Sequence, residues 1–123
     1  MSWKLVHKKK HHHFHTVEGI AIYRDHRRCT LYIGAKLWRL LPKSTPRNLC
    51  NIYEDGAKLL IQFTSKPIGD SRKICEHSIT IPLHLICDYL DKGEKAIISY
   101  PRIDKGNLEI DLAEMRKSDG HNH

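Results

Sequence analysis

Arg24, Arg27 and Arg28 fall within five residues and are the densest group of side chains here suited to a defined chemistry. A guanidinium presents a planar fork of donors that matches a phosphate or a guanine edge through two parallel hydrogen bonds. Grouped around Asp25 and His26, between apolar stretches that alternate, they read as a tight basic loop rather than one face of a helix. Upstream, Lys8, Lys9 and Lys10 run into His11, His12, His13 and His15, interrupted by Phe14. Imidazoles this dense bind nickel, zinc or copper in almost any context. The lysines suit a polyanion.

Other reactive types are arranged less suggestively. Cys29, Cys50, Cys75 and Cys87 are scattered singly, with no C-x-x-C pair, which argues against a zinc ribbon or a dithiol redox motif. Cys29 and Cys87 lie among apolar residues and read as small buried hydrophobes. His77 and His84 read as structural, and Trp38 and Tyr53 as core or rim packing. No nucleophile, base and orienting group stand at a recognisable spacing, and no phosphate-binding glycine loop occurs. Neither catalysis nor a cofactor is therefore expected.

The charge is uneven. Residues 1–48 hold eleven Lys and Arg against two acids, and residues 49–123 hold ten against twelve, within a chain of net charge +7. That asymmetry predicts one electropositive face and one mildly acidic region. Nucleic acid is the commonest partner of such a face. At 123 residues, 40% hydrophobic and 28% charged, the chain suits one compact domain. No apolar run approaches the ~18 residues of a membrane span, and the basic start leads into no apolar signal region. The expectation is a cytoplasmic chain with no membrane partner.

The elements that must position these residues are short. Residues 1–15 read as a flexible basic, His-rich arm, 16–112 as one domain, and 113–123 as a polar, frayed tail. Ile20–Tyr23 and Cys29–Ile33 read as strands either side of the basic loop. Ala35–Leu41 places Leu37, Leu40 and Leu41 at helical spacing, with Lys36 and Arg39 on the other side, and Pro42 and Pro46 end it. Leu49–Tyr53 and Leu59–Phe63 read as a hairpin around Glu54-Asp55-Gly56. Then Ser78–Ile81 reads as a strand, Leu83–Leu90 as a short helix, Lys95–Tyr100 as a strand, and Leu108–Leu112 as the last strand after a turn at Asp104–Asn107.

This order occurs twice. Residues 30–41 (TLYIGAKLWRLL) align with 78–90 (SITIPLHLICDYL), with one extra residue near the end, and Asn51–Ile61 aligns with Ile97–Tyr100 followed by Asp104–Ile110. A repeat of this length is a unit unable to bury its apolar face alone. The pattern of GIAIYRD (19–25), RCTLYIG (28–34), AKLWRLL (35–41) and NIYEDGAKLLI (51–61) resembles the AbrB-like, swapped-hairpin family of DNA-binding domains. Residues 17–63 follow it well and 70–112 more loosely. Gly34 stands where the family has proline, Pro82 retains it, and 42–48 replaces a glycine-rich connection.

The resemblance implies a mostly β fold with short helices. Two tandem strand–helix–strand units would close one swapped-hairpin β-barrel, as in MraZ-like proteins, with a homodimer left open. It further implies a transcriptional regulator that contacts double-stranded DNA through the loop between the first two strands. By position this loop offers Arg24, Arg27 and Arg28, and the second unit offers Arg72 and Lys73. Lys36, Arg39 and Lys8–Lys10 would add phosphate contacts. Two other readings compete: a protein-interaction module such as an antitoxin or inhibitor, and a metal-handling protein using the His-rich ends.

Overall fold

The computed structural model describes residues 19–117, so the expected arm with Lys8, Lys9 and Lys10, and the end of the polar tail, lie outside the described residues. The fold is mostly β, with two five-stranded antiparallel sheets and one short α-helix. In chain order the elements are β1 (Ile20–Arg24), β2 (Cys29–Ile33), α1 (Ala35–Leu40), β3 (Leu49–Asp55) and β4 (Lys58–Thr64). The second half supplies β5 (Arg72–Lys73), β6 (Ser78–Ile81), β7 (Lys95–Ile98), β8 (Arg102–Asp104), β9 (Asn107–Asp111) and β10 (Arg116–Lys117). Short 3₁₀ turns follow β6 and β9.

The first sheet runs β10-β7-β1-β2-β6 and the second β5-β3-β4-β9-β8. Every second residue of β2 (Cys29, Leu31, Ile33) is buried, as is every second residue of β4 (Leu59, Ile61, Phe63). These inward rows meet Ile79, Ile81, Ile98, Leu108 and Ile110 in one cluster drawn from both sheets. Each fully buried Leu or Ile contributes about 1.5–3 kcal/mol, which is why six-residue α1 can exist at all.

The pairing crosses between the repeats. β1 pairs with β7, β2 with β6, β3 with β5, and β4 with β9. Leu31 lies opposite Ile79, and Leu60 opposite Glu109; in the aligned repeats these are equivalent positions. Each of those two pairings is therefore centred on a local twofold axis that exchanges the ends of the strands. The chain joins the sheets at the Cys75–Ser78 bridge after β5 and again through Ser99–Pro101 between β7 and β8.

Two glycines mark close approaches. A Cβ on Gly19 would lie 2.1 Å from the Ile98 carbonyl oxygen, so no side chain fits where β1 begins beside β7. Gly34 has φ −59° and ψ 149°, nearly the conformation of its counterpart Pro82. Its N–H, however, donates to the Gly19 carbonyl at 2.8 Å. Proline has no such donor, which explains why the first unit lacks it.

Several expected elements differ. Leu83–Leu90 is no continuous helix: Leu83–Leu85 is a 3₁₀ turn, and the chain proceeds through turns to Leu90. Ile86 and Leu90 take the buried positions of this segment, which leaves Cys87 exposed, while Cys29 and Cys50 are buried. The β7 strand stops at Ile98 rather than Tyr100, because Pro101 follows and Tyr100 projects 85% exposed. Arg116 and Lys117, expected to be frayed, pair with Ile97 and Ala96 at the sheet edge.

Candidate nucleic-acid interface

The loop between β1 and β2 is closed by backbone chemistry. Arg24 is paired with Cys29, and the Asp25 N–H donates to the Arg28 carbonyl at 2.9 Å. The Asp25 carboxylate also accepts from the N–H of the next residue, His26. Arg27 and Arg28 are exposed on this loop. Arg24 is not. Strand alternation puts it on the same side as Ile20 and Ile22, and its Nη1 donates to the Leu90 carbonyl at 2.5 Å. Its backbone also holds the 90–94 turn, with N–H to Glu94 oxygen at 3.0 Å and carbonyl accepting from Gly93 at 2.7 Å. Its Nε is buried without a hydrogen-bond partner. Arg24 thus fixes the base of the loop.

Arg72, at the equivalent position of the second unit, makes different contacts: it pairs with Cys50 of β3, is half-buried, and donates from Nη1 to the Thr80 carbonyl at 2.9 Å. It lines an open cleft of about 590 Å³ together with Glu54, Asp70 and His84. Lys73, opposite Leu49, is exposed. The turn joining β5 to β6 puts Glu76 at φ 48° and His77 at φ 72°, left-handed for two residues with side chains. Such backbone costs about 1–2 kcal/mol per residue. The His77 carbonyl accepts from Ile33 N–H at 2.8 Å, and its ring stacks on Trp38 at 4.4 Å, which offsets the strain.

Lys36 and Arg39 are exposed on α1, whose other face buries Leu37 and leads into buried Leu41. Trp38 also meets Phe63 edge-on at 6.3 Å. Arg47 completes this corner. Its guanidinium donates to Trp38 oxygen at 2.9 Å and Leu41 oxygen at 3.3 Å, and lies 5.0 Å above the indole centroid. It satisfies carbonyls that a helix end leaves open. Sequence reasoning missed Arg47, although a cation a few residues beyond a helix end is a recognisable signal.

The structure divides the expected site residues between two ends. β2 spans five residues, about 13 Å between its terminal Cα atoms. Arg27 and Arg28 sit at the Cys29 end; α1 starts beyond Ile33 at the other, with Lys73 and the 76–77 turn near it. The loop end mixes signs. Asp25, Asp88, Asp91 and Glu94 lie in its segments among Lys92, Lys95 and Lys117. The Glu94 carboxyl accepts from the Asp91 N–H and pairs with Lys117 at 3.3 Å, contacts that lower its pKa below the usual value. Burial pushes the Cys29 thiol up to about 12 and the Cys50 thiol up to about 11, so neither is a nucleophile at neutral pH. Among the described residues no group of three or more His, Cys, Asp or Glu could hold a metal ion, and no helix is long and apolar enough to cross a membrane. No protein-family model matches the chain, and no curated protein or solved structure shows significant similarity to it.

Proposed function

We propose that this chain is a double-stranded DNA-binding regulator, built as a swapped-hairpin barrel of the AbrB-like type from two tandem units. The observation that carries the DNA reading is the exposed pair Arg27–Arg28 on a hydrogen-bonded loop of buried strands. Guanidinium forks held on a rigid frame lose little freedom on binding, and they suit phosphate oxygens or a guanine edge. The cross-unit pairing supports the fold part of the reading. Each unit lends strands to the other, as an interleaved barrel requires, and one chain supplies both units.

Arg24 and Arg72 serve in this reading as anchors beneath the loops, and Arg27 and Arg28 as the contacts. A mobility shift on random duplex DNA, repeated across salt concentrations, tests it. Affinity is expected to fall steeply with salt, and Arg27→Ala with Arg28→Ala to lower the slope of log K against log salt by about 2. No shift even at low salt would overturn the proposal. A tight protein partner recovered in its place would favour the interaction-module reading.

A further inference from the structure

We propose that the α1 end of the molecule is a second polyanion-binding face, taking the phosphate backbone of a nucleic-acid segment separate from the one met by Arg27 and Arg28. The inference rests on the DNA-binding reading and extends it to bridging. Exposed cations come to this end from five segments: Lys36 and Arg39 on α1, Lys43 after it, Lys66 beyond β4, Lys73 on β5 and Lys105 at the β8–β9 turn. Asp70, Glu76 and Asp104 are the acids of the same segments.

The neighbourhood follows from contacts. Trp38 joins α1 to His77 of the β5–β6 turn and to Phe63 near the end of β4. The Ile74 N–H donates to Asn48 oxygen at 2.9 Å, which brings β5 to the loop after α1. A cleft of about 520 Å³ lined by Pro42, Thr45, Phe63 and Lys105 sets the β8–β9 turn against that loop.

Two features make this face independent of the other. The ends are separated by about 13 Å of β2 before any loop is added, beyond the ~8 Å screening length at physiological salt. They also face opposite ways, because the twofold relation at Leu31 and Ile79 exchanges strand ends. The frame is rigid as well: Arg47 and the Trp38–His77 stack hold α1, so Lys36 and Arg39 are presented at fixed spacing. Cations drawn from several segments suit a phosphate backbone rather than a single small anion.

The test is capture of a second duplex. Bead-bound duplex DNA is loaded with protein, washed, and offered a fluorescent duplex, while sedimentation at the assay concentration reports the oligomeric state. The wild type is expected to retain the fluorescent duplex as a monomer. Arg39→Glu with Lys43→Glu and Lys73→Glu is expected to abolish capture while leaving one duplex bound; Arg27→Glu with Arg28→Glu should do the same from the other end. The milder Arg39→Gln, Lys43→Gln and Lys73→Gln variant guards against misfolding and should lower capture with an unchanged melting temperature. Binding of one duplex without capture would overturn the second face, as would capture that survives the α1-end variants or needs a dimer. Failure of the wild type to bind any duplex would overturn the DNA-binding reading itself.

Discussion

At the residue scale, three arginines close in sequence divide into one half-buried anchor, Arg24, and two exposed on the loop, Arg27 and Arg28. Arg24→Ala is expected to lower stability by about 1–3 kcal/mol, since it strips a half-buried carbonyl of its donor. It should leave the salt dependence of DNA binding unchanged, the reverse of Arg27→Ala; a thermal melt beside a salt titration separates the two. A methyl group at Gly19 meets backbone oxygen at 2.1 Å, so Gly19→Ala should cost about 3 kcal/mol in urea unfolding. An unchanged midpoint would mean that β1 and β7 do not approach as described. The thiols offer a third check. Brief alkylation of the native protein should modify Cys75 and Cys87, with Cys29 and Cys50 reacting only after unfolding, as read by mass spectrometry.

At the element scale, α1 is too short to persist alone and depends on the corner built by Trp38, His77 and Arg47. Arg47→Ala removes carbonyl hydrogen bonds and a cation–π contact, with an expected loss of about 1–2 kcal/mol in thermal unfolding. A melting temperature equal to the wild type would show that α1 is held by packing alone. Helical spacing marked Ala35–Leu41 to within a residue but put Leu40 on the inner face, where the structure leaves it 66% exposed, and the same reading of Leu83–Leu90 failed. The two segments are similarly apolar, so spacing alone does not separate an α-helix from a 3₁₀ turn. The Glu76–His77 turn was equally hidden, because neither residue is a usual occupant of left-handed backbone.

At the scale of the whole molecule, the repeats share every sheet, and neither owns a core. A fragment spanning residues 19–66 leaves β1, β2, β3 and β4 without their partners β7, β6, β5 and β9. It is expected to show no cooperative unfolding as a monomer; a sharp urea transition at the monomer mass would contradict the interleaved pairing. The charge pattern also changes meaning at this scale. An excess in residues 1–48 suggested one basic half, but the fold draws each end from both units. Lys66, Lys73 and Lys105 of the later chain belong to the segments at the α1 end, while Asp88, Asp91 and Glu94, with Lys92, Lys95 and Lys117, belong to the segments at the end of Arg27 and Arg28.

Alternation and turn residues in the sequence determined seven of the ten strands, β1–β4, β6, β7 and β9, the hairpin at Gly56 and the burial of Leu31, Ile79, Ile61 and Ile110, because those depend on neighbours two to four residues away. The inward turn of Arg24 was missed: the strand was read as ending at Tyr23 and Arg24 as a loop contact, although it shares the parity of Ile20 and Ile22. Only the tertiary structure decided which cations stand together. Antiparallel pairing of equivalent strands sends equivalent loops to opposite ends, so residues close in the chain separate and distant ones meet. Local pattern fixes the side of a strand on which a residue lies; long-range register fixes its neighbours across the sheet.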